Sequence, residues 1–214
     1  MEYWILGLSI VATLLSIISL SKSIIIPIIF RPHIEVIGGN EGEYLSHFQK
    51  SSTKTLGIIE DYYIYRLKVE NKKCFSSITE PNIHSRMLTI SKDNENLVPF
   101  NPVLMRWASN SEFTERLSKD EHSYVNLLTI VYSYVLDSNG KKKDVTYKFY
   151  PAHMGITELA LAGGFPMSKL TEGLYLFRIG FHGDVLASLH YTVQVSFKDL
   201  IDAPEIKVTV IQES

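Results

Sequence analysis

Two patterns of apolar and polar positions divide the chain. From Tyr3 to Ser21 the run "YWILGLSIVATLLSIISLS" carries no charged residue, whereas past Pro32 the dominant period becomes two. A run that is apolar throughout, with no polar stripe, reads as a helix hydrophobic on every side. At about 1.5 Å per residue it spans roughly 28 Å, which nearly fills the hydrocarbon core of a bilayer. A second run, "SIIIPIIF", follows Lys22 and ends at Arg31. Pro27 inside it predicts a kinked or interfacial continuation, with Lys22 snorkelling toward the headgroups.

The alternation beyond Pro32 predicts half-buried strands. "YYIYRLKVEN" sets Tyr63, Tyr65, Leu67 and Val69 against Ile64, Arg66, Lys68 and Glu70. "LHYTVQVSF" sets Leu189, Tyr191, Val193, Val195 and Phe197 against His190, Thr192, Gln194 and Ser196. "LYLFRIGF" turns Tyr175, Phe177, Ile179 and Phe181 inward and Arg178 outward, and "IKVTVIQ" gathers Ile206, Val208 and Val210 on one side. Further strands are expected at "HIEVIG", "RMLTIS", Ser123 to Val135 and "VTYKFY", with turn chemistry between them in "GGNEG", "KDNEN", "DSNG", "TEG" and "FHGD". Only "GITELALAGG", Gly155 to Gly164, has a short helical pattern, and it ends in a glycine pair that would stop a helix. The helical crossovers that parallel strands require are mostly missing. The expected fold is therefore all-β, an antiparallel β-sandwich preceded by one N-terminal transmembrane α-helix. Residues 1–31 form the anchor and interfacial segment, and residues 32–214 the sandwich.

Three stretches, "YRLKVENKKCFSSI", "MRWASNSEFTERLSKDEHSYVNLL" and "LTEGLYLFRIGFHG", resemble prokaryotic immunoglobulin-like or fibronectin-like sandwiches. In such domains a strand ending in Val-x-Asn leads into a turn, and Leu-x-x-Gly-x-Tyr opens a late strand. The resemblance covers most of residues 33 to 211 and is similar to membrane-anchored versions of unassigned function. It implies an immunoglobulin-like fold and an absence of catalysis; fold by itself confers no activity.

The opening segment lacks the marks of a cleaved signal peptide: its n-region is "ME", without Lys or Arg, and no Ala-x-Ala pattern follows the apolar run. Trp4 belongs at the outer interface, where aromatic residues form a belt, and Lys22 and Arg31 flank the segment on its C-terminal side. The positive-inside bias then places the N-terminus outside and the C-terminal domain in the cytoplasm. Trp4, Lys22 and Arg31 are thus the expected anchor residues, and the bilayer is the first expected partner.

Composition narrows the chemistry. With 214 residues, 45% hydrophobic and 21% charged, the chain has room for one globular domain plus a short extra element. A net charge of −2 shows no bias toward polyanions, and the one basic run, "GKKKD" at Gly140 to Asp144, reads as a solvated turn rather than a nucleic-acid site. Cys74 is the only cysteine, so no intrachain disulfide forms, and no Asn-x-Ser/Thr sequon occurs. Both features fit a reducing, unglycosylated compartment.

No catalytic, cofactor-binding or metal-binding residue is expected. The seven histidines, His33, His47, His84, His122, His153, His182 and His190, show neither helical i, i+4 nor His-x-His spacing, and read as surface or capping residues. Glu60 with Asp61, and Asp120 with Glu121, are adjacent pairs whose side chains diverge on a strand, so neither forms an acid/base dyad. Cys74 has no helix N-terminus beside it to activate a thiolate. Trp107 reads as a core or edge anchor, and the polar loops Gly38 to Leu56 and Ala108 to Asp120 are where a rigid sandwich would place binding residues. The expected function is a non-enzymatic, membrane-tethered binding or assembly module whose partner is another protein. The alternatives are a ligand-responsive membrane effector that binds a small metabolite or nucleotide, and an exported envelope interaction domain. The effector requires a basic or aromatic pocket, and no single stretch of the sequence marks one.

Overall fold

The computed structural model describes residues 2–21, 33–51, 57–73, 82–93, 95–96, 102–109, 113–118, 120–151, 172–183, 186–198 and 205–212. Helix α1 (Glu2–Leu20) comes first. The strands follow as β1 (His33–Gly38), β2 (Leu45–Ser51), β3 (Ile58–Lys73), β4 (Asn82–Lys92), β5 (Glu95–Asn96), β6 (Val103–Leu104), β7 (Thr114–Arg116), β8 (His122–Leu136), β9 (Lys142–Pro151), β10 (Gly173–Gly183), β11 (Leu186–Lys198) and β12 (Glu205–Gln212).

They form two antiparallel sheets. The first runs β1-β3-β8-β9, with β2 also on β3. Because β1 pairs with residues 67–73 of β3 and β2 with residues 59–65, the two make one interrupted edge. The second runs β12-β11-β10-β4, and the short β5, β6 and β7 share the far edge of β4. The chain crosses between sheets after β3, β7 and β9, so the strands beside one another are far apart in sequence.

The period of two explains the layering. Tyr65, Leu67 and Val69 of β3, Tyr175, Phe177, Ile179 and Phe181 of β10, and Tyr191, Val193, Val195 and Phe197 of β11 all enter one core shared by both sheets. Full burial of such a side chain is worth about 1.5–3 kcal/mol, which is why the alternation fixes which face turns inward. The sheets are tied at one margin: the Tyr191 hydroxyl donates to the Ile34 carbonyl at 2.9 Å, and the Val208 N–H donates to Asn40 Oδ1 at 2.6 Å. Gly38 lets them close there, since a Cβ would stand 2.9 Å from Val210 Cγ2.

Several expectations change. Gly38 to Leu56 is not one long loop: a short 3-10 turn at Gly42–Tyr44 leads into β2, because "LSHFQKS" completes the edge of β3. Within Ala108 to Asp120 lies β7, paired with β4. Ile64, read on the polar face of β3, is 5% exposed. On that outer face Tyr62 packs with Val131 and Tyr150 in a small satellite cluster and stacks on Phe48 with ring centroids 4.8 Å apart. Trp107 is fully buried in the main core. Cys74 and the helical pattern of Gly155 to Gly164 lie outside the described residues, as do Lys22 and Arg31.

The side chains of α1 are described from Ser9 onward, and among the described residues no helix is long and apolar enough to cross a membrane.

Candidate functional site

The outer face of the second sheet carries the most distinctive cluster. On β4 the alternation that buries Ile83, Ser85 and Met87 turns His84 and Arg86 outward. On β10, burial of Ile179 and Phe181 leaves Gly180 and His182 on the outer face, and on β11 burial of Tyr191 does the same for Ser188 and His190. Register joins them: His182 lies opposite His84, and Gly180 lies opposite both Arg86 and His190. Three imidazoles and one guanidinium thus surround a residue that has no side chain.

The result is an open depression of about 260 Å³ lined by His84, Arg86 and His182. Gly180 lies behind the His182 ring, which occupies the space that a side chain there would take. A Cβ there would lie 2.9 Å from His182 Nε2, 3.3 Å from Leu88 Cδ1 and 3.4 Å from His190 Cδ2. His182 Nδ1 is 3.0 Å from Ser188 Oγ, which fixes the ring and leaves Nε2 over the glycine. The His182 and His190 rings meet edge to face at 6.3 Å.

The electrostatics are one-sided. Burial, and then the positive charges of Arg86, His190 and His84, hold the His182 imidazole below its ordinary value. No carboxylate among the described residues pairs with Arg86 or these imidazoles. No group of three or more His, Cys, Asp or Glu among the described residues is arranged to hold a metal ion. A guanidinium inside the cluster would also repel one.

A second polar cluster sits on the first sheet. Asp61 is 4% exposed, yet it is surrounded by donors. Gln49 Nε2 donates to Asp61 Oδ1 at 2.9 Å and contacts the Tyr134 hydroxyl at 3.0 Å. His47 Nε2 lies 3.6 Å from Asp61 Oδ1, and Lys142 Nζ lies 3.8 Å from Asp61 Oδ2. The ammonium also sits over the Tyr134 ring, 4.5 Å from its centroid. Burial and the Asp61 charge raise the Tyr134 phenol. The basic run read as a solvated turn therefore sends its second lysine onto a buried carboxylate.

The histidines read as surface or capping residues are in part assembled: His84, His182 and His190 converge across three strands rather than along one. His122 packs edge to face on Tyr124 at 5.7 Å, and His153 lies outside the described residues. Of the expected anchor residues, Trp4 lies in α1 without a described side chain, and the other two lie outside. Arg86, His84 and Gly180 were not expected as site residues. Their signal is the i, i+2 pairing in "HSR", "GFH" and "SLH", which sets two site positions on one face of each strand. No protein-family model, curated protein or solved structure matches the chain.

Proposed function

We propose that this protein is a non-enzymatic binding module: a β-sandwich held at a membrane by its N-terminal helix and facing the cytoplasm. The observation that carries the tether is the surface of α1. Ile10, Val11, Leu14, Leu15, Ile17, Ile18 and Leu20 are each more than half exposed, and at about 100° per residue they cover about 220° of the helix surface, with Ser9, Ala12, Ser16 and Ser19 along the remaining strip. Two of its hydroxyls are satisfied within the helix, that of Thr13 donating to the Ser9 carbonyl at 2.8 Å and that of Ser16 to the Ala12 carbonyl at 2.9 Å. So wide an apolar surface, exposed on a helix, suits hydrocarbon better than water. Tethering confines the binding face to two dimensions and raises its effective concentration near other membrane components.

An immunoglobulin-like kinship belongs to the same reading. In its support, β4, β10 and β11 neighbour one another as strands C, F and G do in that fold. The first sheet departs from the pattern, since β8 rather than β9 lies beside β3 where the order A-B-E-D would place the later strand. The effector reading gains a specific observation as well, because the depression beside Gly180 is the kind of basic pocket it requires.

Alkaline carbonate extraction of cell membranes tests the tether, with the full chain expected in the pellet. In intact cells an external protease should spare residues 33–214, and Cys74 should escape an impermeant thiol reagent that labels it after lysis. Recovery in the carbonate supernatant would remove the tether, and external cleavage would favour the exported envelope reading.

A further inference from the structure

We propose that the depression beside Gly180 binds the dianionic phosphate of a phosphate monoester, with Arg86 and the imidazoles of His84 and His182 as its donors. The inference rests on reading the sandwich as a binding module and supplies the ligand class for it.

Shape and donor count select this chemistry. The depression, at about 260 Å³, is smaller than the roughly 300–1,000 Å³ typical of pockets that enclose a drug-sized ligand, so it suits a charged group rather than a whole metabolite. A planar carboxylate takes the two parallel N–H groups of one guanidinium in its own plane, and its remaining lone pairs lie in that plane too. Imidazoles on other sides of the anion would meet it poorly. A tetrahedral phosphate offers oxygens to the guanidinium and to imidazoles on other sides at once. The missing Cβ at Gly180 makes room for the His182 ring, whose Nε2 would stand only 2.9 Å from it.

Charge gives the sign of a proton linkage. His84 and Arg86 on β4 and His182 on β10 line the depression, and His190 on β11 lies beside it, its ring edge to face with His182. Beside them, β7 contributes the neutral Thr114 opposite His84, and Arg116, which donates to Asn82 Oδ1 at 3.0 Å. Arg178 lies two positions from Gly180 on the same strand. None of these groups is acidic. His182 is held low by burial and by its positive neighbours, so it is mostly neutral at neutral pH in the free protein. A dianion offsets those charges and raises the imidazole toward or above its ordinary value. Binding therefore takes up protons, and affinity rises as the pH falls from about 8 toward 6.5, while a phosphate monoester with its second pKa near 6 stays largely dianionic.

The test is calorimetric titration of the full-length chain in dodecyl maltoside micelles with phenyl phosphate. Two buffers of different ionisation heat are used at about pH 6.5 and about pH 8. Saturable binding with net proton uptake is expected, tighter at the lower pH. Arg86→Ala should weaken it roughly ten-fold or more, the usual cost of losing a charge-assisted pair. Gly180→Ala keeps every charge and adds one methyl in the space that the His182 ring occupies; the ring can turn aside, so the variant should fold and still lose affinity with the displaced donor. Circular dichroism checks each variant, and Gly180→Ala decides the matter if Arg86→Ala does not fold.

A second arm adds phosphatidic acid to the micelles. If the natural source is a lipid headgroup, the lipid should displace phenyl phosphate at lower concentration than a soluble monoester does; if the source is soluble, the two should compete alike. No saturable binding to either probe, equal binding of chloride, or binding unchanged in both variants would overturn the site. Micelles make the outcome independent of whether α1 crosses a bilayer, so a failed tether and a failed site are distinguishable.

Discussion

The Asp61 cluster and the Gly180 depression hold similar kinds of side chain and treat them in opposite ways. At Asp61 a buried carboxylate meets a ring of donors from Gln49, His47, Lys142 and, through its hydroxyl, Tyr134. At Gly180 a guanidinium and three imidazoles converge with no counter-charge among the described residues. A network closed on itself contributes to the fold, because removing any member strands the others in a low-dielectric setting. A convergent set of one sign, open to solvent, gains nothing from its own neighbours and is completed only by something that arrives. The difference separates a structural cluster from a binding one without appeal to residue type.

The largest expected effect breaks the closed network. Lys142→Met leaves Asp61 buried without its ammonium, and the remaining donors soften the loss to about 2 kcal/mol, below the roughly 3–5 kcal/mol of a fully stranded buried charge. Adding Asp61→Leu should recover most of that, since an apolar pair of similar volume is often neutral. Urea unfolding of the full chain in micelles measures both. If the double variant is less stable than Lys142→Met, Asp61 is held by bonds other than those to Lys142.

The open cluster should respond the other way. Arg86→Ala is expected to change stability by no more than about 0.5 kcal/mol, as for an exposed side chain outside the core. It should also let His182 titrate closer to the ordinary imidazole range, because a neighbouring positive charge is gone. NMR titration of histidine-labelled protein reads the second effect. A stability loss as large as that of Lys142→Met would mean that Arg86 is part of the scaffold, and the contrast between the clusters would fail.

What could be read in the sequence followed the reach of its signals. Alternation is local, so the inward faces of β3, β10, β11 and β12 were legible residue by residue, from Tyr63 to Val69 and from Ile206 to Val210. The burial of Ile64 was not: its partners across the sheet are Ser46 of β2 and Thr129 of β8, and no period within "YYIYRLKVEN" encodes them. The edge strand β2 was hidden because "LSHFQKS" exposes most of its side chains and is a strand by virtue of its partner. The site was half legible. Period two sets His84 with Arg86, Gly180 with His182 and Ser188 with His190. The placement of β4 beside β10, more than ninety residues away, is a tertiary choice that brings the pairs together. Histidine spacing along one strand was the wrong place to look, since the convergence lies across the ladder.

The smallest effect sharpens the comparison through pH. His182 has a folded-state value below that of the unfolded chain, so on acidification the unfolded state binds its proton first. The contribution to stability is fully present above about pH 7, is lost as the pH falls through the ordinary imidazole range toward the depressed folded value, and stays lost below it. His182→Gln should flatten that part of the profile, measured as the difference in urea midpoint between the two proteins across the window. Phosphate should flatten it too, by raising the folded-state value toward the unfolded one. If His182→Gln leaves the slope unchanged, the positive charges around Gly180 do not act on one another, and the cluster is a coincidence of register.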